Sequence, residues 1–407
     1  MRSLFTFLMI VLPLSMVYSQ EIKKDSIPTN DLRLAALPYY SYGKGLGITS
    51  ADSLFQLNIR FRMQNRVTYF ENEGEDAAYS GEIRRLRLRF DGYVGNPMFS
   101  YVIQLSFAPG DIGEIEEGEN INIIRDAAVF YRPNKHWNFL FGQTKLPGNV
   151  ERVVSSANLQ LINRSLLNSN FNIDRDVGLQ LRHHATLFGD FMIREKIAVS
   201  QGEGRNITEG NEGGLQYTGR LEFLPFGKFA SKGDYSQGDL KREKAPKLMV
   251  GLTYDYNKDA VKTRSNMGSY MFLNDGSLYQ TDITTFFADA MFKYKGFAFM
   301  GEYAMRDADA PVAINTDGTQ TGDIVRVGNA MNMQLSYLLK NNVEITGRYT
   351  TLEFEDITSR DPQDQYTLGV SKYVVGHKLK VQADVSYGTK NGDQDNIMVR
   401  TGFDLHF

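Results

Sequence analysis

The chain has no cysteine among its 407 residues. That excludes a disulfide framework and any thiolate metal site. Beyond its N-terminal segment it has no apolar run of about 20 residues, so no later helix can carry it across a bilayer. It also lacks an excess of one charge. Lys and Arg number 45 against 48 Asp and Glu, a net of −3, which argues against nucleic acid as a partner. Histidine is scarce. The five (His136, His183, His184, His377, His406) fall in unrelated strands and turns. His183 and His184 point to opposite faces of one strand and cannot share a metal. No HExxH, GxSxG or phosphate-loop pattern occurs, so the sequence supports neither an enzyme nor a cofactor or metal site.

Glycine and aromatics are plentiful: 37 Gly, 22 Tyr and 26 Phe. Such a chain is too aromatic to be disordered. Yet its mean hydropathy is −0.35. Any reading has to explain an aromatic chain that is hydrophilic on average.

The first segment sets the compartment. Arg2 precedes an apolar run from Leu4 to Val17, and Val17 and Ser19 stand at −3 and −1 of a cut before Gln20. This is the pattern of a secretory signal peptide over 1–19. Its removal takes away Arg2 and leaves a net charge of −4.

The rest reads as strands. In 54–70, Leu57, Ile59, Phe61, Met63, Val67 and Tyr69 share one parity, while Arg60, Arg62, Gln64, Arg66 and Thr68 share the other. Residues 85–93 repeat the alternation, with Leu86, Leu88 and Phe90 against Arg85, Arg87, Arg89 and Asp91. Period two is the strand signal. Further segments follow at 99–107, 121–131, 137–143, 177–183, 191–199, 215–223, 248–256, 283–294, 297–305, 324–338, 343–352, 366–373, 379–387 and 397–407. Together they make about sixteen, at the spacing of a hairpin meander. Short turns alternate with long connections at 71–81, 109–120, 145–174, 201–213, 258–280, 307–322, 353–362 and 388–395. Short turns on one side and long loops on the other is the layout of a transmembrane antiparallel β-barrel. The connection 225–246 breaks the rule. It should be a short turn, and instead it is long and basic, with Lys228, Lys232, Lys241, Arg242 and Lys244.

Alternation does not say which face is wet. A soluble sandwich or solenoid alternates too. Three features favour a wet interior. The polar face is rich in arginine. About sixteen strands enclose a space too wide for side chains to fill. Many segments end in Tyr or Phe (Tyr69, Phe107, Tyr131, Tyr303, Tyr349, Tyr387, Phe407), as membrane interfaces require. Closure would be obligatory, because an open edge leaves backbone groups unpaired in hydrocarbon.

This parity places Arg60, Arg62, Arg66, Arg85, Arg87 and Arg89 in the lumen as one basic patch, with Arg182 as a further candidate. Connection 145–174 adds Lys145, Arg152 and Arg164 against Glu151 and Asp174. It is the longest connection and carries its own apolar residues, which marks it as a functional loop that narrows the pore. An outer flap or a subunit contact is the competing reading. Rings of Arg or Lys favour anions. Against this, Asp91, Glu222, Asp255, Asp289, Glu302, Glu344, Asp384 and Asp404 share the inner face, and 71–81 with 109–120 bring nine acids to the outer mouth. Those acids would repel anions, or hold divalent cations against lipopolysaccharide.

Residues 142–182 resemble the phosphate-selective porin O/P family at Gly142, Gln143, Lys145, Pro147, Glu151, Arg152, Ser155, Ser156, Arg164, Ser165, Arg175, Asp176 and Gly178. The arginine-rich pair Asn58–Arg66 and Arg84–Gly92 and the dipeptide Asp126-Ala127 look like the family as well. The sequence departs from it at Gly148, where an aromatic residue is usual. The resemblance implies an outer-membrane porin of a Gram-negative bacterium, a homotrimer, and a sixteen-stranded barrel whose third long loop, here 145–174, folds into the lumen.

The resulting expectation is all-β. Residues 1–19 are a signal peptide, 20–50 an N-terminal periplasmic segment and 51–407 a transmembrane β-barrel. The function expected is passive diffusion of small anions such as phosphate or polyphosphate, with outer-membrane lipid and lipopolysaccharide as surroundings. A non-selective porin and a non-conducting adhesin or structural barrel are the alternatives.

Overall fold

A computed structural model of the chain describes residues 39–41, 45–112, 122–207, 211–391 and 394–407. The expected signal segment and most of 20–50 lie outside these residues. The strands are β1 Tyr39–Ser41, β2 Gly45–Thr49, β3 Phe55–Asn72, β4 Ala78–Val94, β5 Asn96–Ser106, β6 Ile124–Tyr131, β7 Trp137–Lys145 and β8 Arg175–Phe188. They continue with β9 Phe191–Ser200, β10 Gln216–Leu224, β11 Lys247–Ala260, β12 Lys262–Arg264, β13 Met267–Tyr270, β14 Thr281–Tyr294 and β15 Phe297–Ala308. The last are β16 Val312–Ile314, β17 Gln320–Ile324, β18 Gly328–Leu338, β19 Val343–Phe354, β20 Gln363–Tyr373, β21 Leu379–Lys390 and β22 Gln394–His406.

Sixteen of these form one antiparallel ring: β3 to β11, β14, β15 and β18 to β22. The ring closes where β22 pairs with β3, from Asn396 opposite Asn72 to His406 opposite Arg62. β22 ends before β3 does, and β2 takes up the remaining edge, with Leu46 opposite Ile59. No barrel strand is left with an open side, as hydrocarbon demands. The pairs β12–β13 and β16–β17 are small hairpins inside two long connections.

The ring is inverted relative to a soluble protein. On β20, Tyr366, Leu368 and Val370 are 53%, 56% and 45% exposed, while Gln365, Thr367 and Ser371 are 8%, 4% and 1% exposed. Apolar side chains face out and polar ones face in, so the outer wall needs an apolar solvent. Asp364 and Lys372 flank the apolar band on that face.

All sixteen expected segments are barrel strands, and two boundaries differ for a physical reason. β4 begins at Ala78, not 85. A bulge sits where Gln64 faces Arg85 and Asn65 faces Ile83, leaving Arg84 as the extra residue. A bulge reverses the parity, so Tyr79 and Ile83 face out above it while Leu86, Leu88 and Phe90 face out below it. The connection expected at 71–81 shrinks to 73–77 in consequence. The segment expected from 324 begins at Gly328, because Gln320–Ile324 belongs to the hairpin with Val312–Ile314.

Two apolar clusters of the inner face form around one connection. Leu146, Leu167, Phe171 and Ile173 pack on Ala198, Phe287, Ala304, Ala330 and Leu352. Val150, Val154 and Leu159 pack on Met192, Leu224, Phe229, Met249, Met291 and Met300. Gly148, where the sequence departs from its resemblance, is hemmed in: a Cβ there would stand 2.6 Å from Ile173 Cγ1. An aromatic residue has no room at that position.

Candidate functional site

Three carboxylates of the inner face accept hydrogen bonds from the backbone of the connection after β7. The Val150 N–H donates to Asp289 Oδ2 (3.3 Å), the Glu151 N–H to Glu302 Oε1 (2.6 Å) and the Ile162 N–H to Asp384 Oδ2 (3.1 Å). The amide of Gln160 reaches Glu344 Oε1 at 2.7 Å. Carbonyls are met in the same way. Lys380 Nζ donates to Leu159 O (2.5 Å), Gln382 Nε2 to Gln160 O (2.6 Å), Arg348 to Asn163 O (2.9 Å) and Arg306 to Phe171 O (2.7 Å). A buried irregular segment must satisfy its backbone, and here the barrel's inner side chains do so. Gly369 lets it approach closely, since a Cβ there would collide with Leu161.

These contacts answer the acid count made from sequence. Glu222, Asp255, Asp289, Glu302, Glu344, Asp384 and Asp404 are all buried. Arg220 forks onto Asp289 at 2.7 and 2.8 Å, and Lys196 holds Glu222 at 2.5 Å. Arg400 holds Asp384 at 2.6 Å. Arg62 holds Asp404 in the same way, while Asp255, Glu302 and Glu344 are buried and hydrogen-bonded to neutral donors.

The open space on the inner face is lined by cations instead. One cavity, of about 650 Å³, has eight arginines and four lysines in its wall against the carboxylate of Asp126. A second, of about 550 Å³, has nine arginines against Asp111 and Asp174. A third, of about 330 Å³, is bounded by Arg60, Arg62, Arg87, Arg89 and Lys378, with no Asp or Glu side chain in its wall.

Each expected residue has a definite place here. Arg62 forks onto Asp404 (3.0 and 2.6 Å) and also donates to Ser156 Oγ (2.6 Å) and Ser156 O (2.9 Å). Arg87 reaches the same Ser156 hydroxyl at 3.1 Å and pairs with Asp111. The two arginines thus pin the 3-10 turn Ser156–Asn158. Arg60 and Arg89 share Asp91, at 3.1 and 3.0 Å. Arg66 pairs with Glu82, and Arg152 with Asp174. The others have no carboxylate partner among the described residues. Arg85 is buried and bonded to Gln64. Arg182 bonds to Gln180 (2.7 Å), Lys145 to the carbonyls of Arg152, Val153 and Val154, and Arg164 to the carbonyls of Glu151 and Val154.

Burial, with Arg152 close by, pushes the Arg164 guanidinium down to about 9, so it stays charged at neutral pH but gains from a nearby anion. Burial works to raise Asp174, yet Arg152 and Arg175 outweigh it and hold that carboxyl well below its usual range. Asp111 behaves likewise under Arg87 and Arg125. Asp111 therefore belongs to the pairing of the basic wall, and the other acids expected beside it (Glu114, Glu116, Glu117, Glu119) lie outside the described residues.

Sequence reasoning missed part of this wall. Arg84 and Arg125 are the extra residues at two bulges, the second where Gln104 faces Asp126 and Leu105 faces Ile124. A residue at a bulge escapes a parity reading. Arg205 comes from a connection with no pattern. Lys228 and Lys232 belong to 225–246, whose role the sequence left open. That connection folds back onto the barrel and onto the connection after β7. Gln237 N–H donates to Asn158 O (3.0 Å), Lys293 Nζ to the carbonyls of Gly233 (2.7 Å), Ser236 (2.6 Å) and Gly238 (2.5 Å), and Arg242 to Leu338 O (2.7 Å). Its Asp234 pairs with Arg194, and the Tyr235 hydroxyl meets Lys196 at 2.6 Å.

A closed sixteen-stranded ring with an apolar outside and a charged, cavity-bearing inside defines an outer-membrane porin. Residues 55–402 match the family model of phosphate-selective porin O and P, and the chain belongs to that family. An uncharacterised protein of Aquifex aeolicus (strain VF5) is 24% identical over 356 residues, 80% of each chain. Among solved structures, the outer membrane channel DcaP of Acinetobacter baumannii superposes with a TM-score of 0.54 at 13% identity, covering 89% of this chain and 99% of that one. The anion-selective porin from Comamonas acidovorans gives 0.54 at 12% identity, covering 87% and 100%. These likenesses concern the fold.

Proposed function

We propose that this porin is a passive diffusion channel for small anions, phosphate and polyphosphate among them. In this reading, 145–174 folds into the lumen and narrows it. Arg60, Arg62, Arg66, Arg85, Arg87, Arg89, Lys145, Arg152, Arg164 and Arg182 set the preference for anions. The observation that carries the reading is the division of the inner face. Seven inner-face acids are buried, four of them held by cations and three hydrogen-bonded to neutral donors, while the cavities are walled by cations in excess. Fixed cations in a narrow pore stabilise anions and repel cations. The barrel of the Comamonas porin shows that the fold accommodates such a preference. Family resemblance adds assembly as a homotrimer among outer-membrane lipid and lipopolysaccharide, after removal of 1–19.

The reversal potential of the purified protein in a planar bilayer under a KCl gradient tests the preference. The sign for chloride is expected, and a potassium sign overturns the proposal. Absence of any current overturns the channel reading itself.

A further inference from the structure

The cavity of about 650 Å³ is not uniformly polar. Val102 on β5, Phe130 on β6 and Met192 on β9 line it. These residues stand at inward positions, where most of the barrel carries charge or amide groups. Val102 packs with Ala128, Leu140 and Phe130 in an apolar patch shared by three neighbouring strands. The same cavity is lined by Arg182, Lys228 and Lys232. Arg182 is bonded to Gln180, and none of the three makes an ion pair among the described residues. Two of them come from 225–246, which is held in place by the hydrogen bonds of Lys293, Gln237 and Arg242.

Inorganic phosphate uses only half of such a wall. Its oxygens would satisfy the cations and leave the half-buried Phe130 ring, the most exposed part of the apolar patch, facing water. A solute with an anionic head and an apolar body would satisfy both: the head on Arg182, Lys228 and Lys232, the body on Val102, Phe130 and Met192. Arginine and lysine recognise phosphate and carboxylate alike. Apolar surface removed from water adds affinity that a bare ion cannot gain. A cavity of about 650 Å³ is of the size that holds a small organic molecule.

From this juxtaposition we infer that the cavity is a binding station for small organic anions, with a carboxylate or phosphate head and an apolar ring or chain, and that 225–246 supplies its cationic floor. The inference deepens the anion-channel reading and rests on it.

Block of the chloride current through the full-length protein in a planar bilayer is the test, with phenyl phosphate and inorganic phosphate as probes. Phenyl phosphate should reach half-block at roughly fivefold to tenfold lower concentration, the ratio expected when about half of a phenyl ring leaves water. Replacing Val102 and Met192 together (Val102→Ser, Met192→Gln) should remove that advantage and leave block by inorganic phosphate unchanged. Lys228→Gln with Lys232→Gln should weaken block by both probes, and an unpatterned loss of current in either variant would be recognised from its open-channel conductance. Equal block by the two probes in the unmodified channel, or an advantage that survives the Val102 and Met192 changes, overturns the inference while leaving the anion channel intact. A potassium-selective current fails the earlier reading instead.

Discussion

Arg62 and Arg85 lie on adjacent strands, and both are buried, yet their surroundings give them different work. Arg62 is forked onto Asp404 and bonded to Ser156. Arg62→Ala strands a buried carboxylate and releases the Ser156 turn. It should lower the stability of the refolded barrel by about 3–5 kcal/mol, read from its denaturant transition. Arg85 has the Gln64 side-chain oxygen as its partner and no carboxylate. Arg85→Gln should leave stability nearly unchanged and lower the chloride-to-potassium permeability ratio about twofold to fourfold, the effect of one unit charge at about 10 Å across water. An unchanged ratio would mean that Arg85 is not sensed by passing ions. Parity alone brought both residues to the inner face. It could not tell them apart, because the partner that distinguishes them, Asp404, is 342 positions away. Pairing between distant strands is set by ring closure, which no local pattern reports.

At the scale of elements, the strands were legible because one face meets hydrocarbon and the other meets polar groups, which forces period two. The breaks in that pattern were not. The bulges at Arg84 and Arg125 hide two cations by shifting parity, and the fold-back of 225–246 depends on hydrogen bonds to Lys293 and Leu338 on β14 and β18. The connection after β7 stands out in the sequence by its length, but its anchoring on acids does not. Read from the sequence alone, those acids count against anion preference. Their burial under Val150, Glu151, Gln160 and Ile162 turns the count around. Replacing 155–165 with a short Gly-Ser linker should therefore do two things. Conductance should rise severalfold as the passage widens, and selectivity should move toward potassium as Glu344, Asp384 and Asp404 become exposed. The ring should still form, since its backbone bonds do not involve this segment. Single-channel recordings with a reversal potential check both effects; unchanged conductance would show that the segment does not constrict the pore.

For the whole molecule, the hydrophilic average of an aromatic chain is the sum of two surfaces. The outer one carries the Tyr, Phe and Leu, and the inner one the arginines and their acids. If hydrocarbon is what the outer surface meets, its tolerance of charge must differ sharply from that of the inner surface only one side-chain direction away. Leu368 and Gln365 on β20 make the comparison within one strand. Leu368 stands mid-band on the outer face, between Tyr366 and Val370, whereas Gln365 borders the basic cavity near Arg400. Leu368→Arg places a guanidinium in hydrocarbon and should cost about 2–4 kcal/mol of folding free energy in phospholipid bilayers. Gln365→Arg places the same group on the wet side, where it should cost far less and raise the chloride preference. Urea titration of the two variants in the same bilayers measures the difference. Equal costs would mean that the outer face is not in hydrocarbon, and the barrel would then have to be read as something other than a membrane channel.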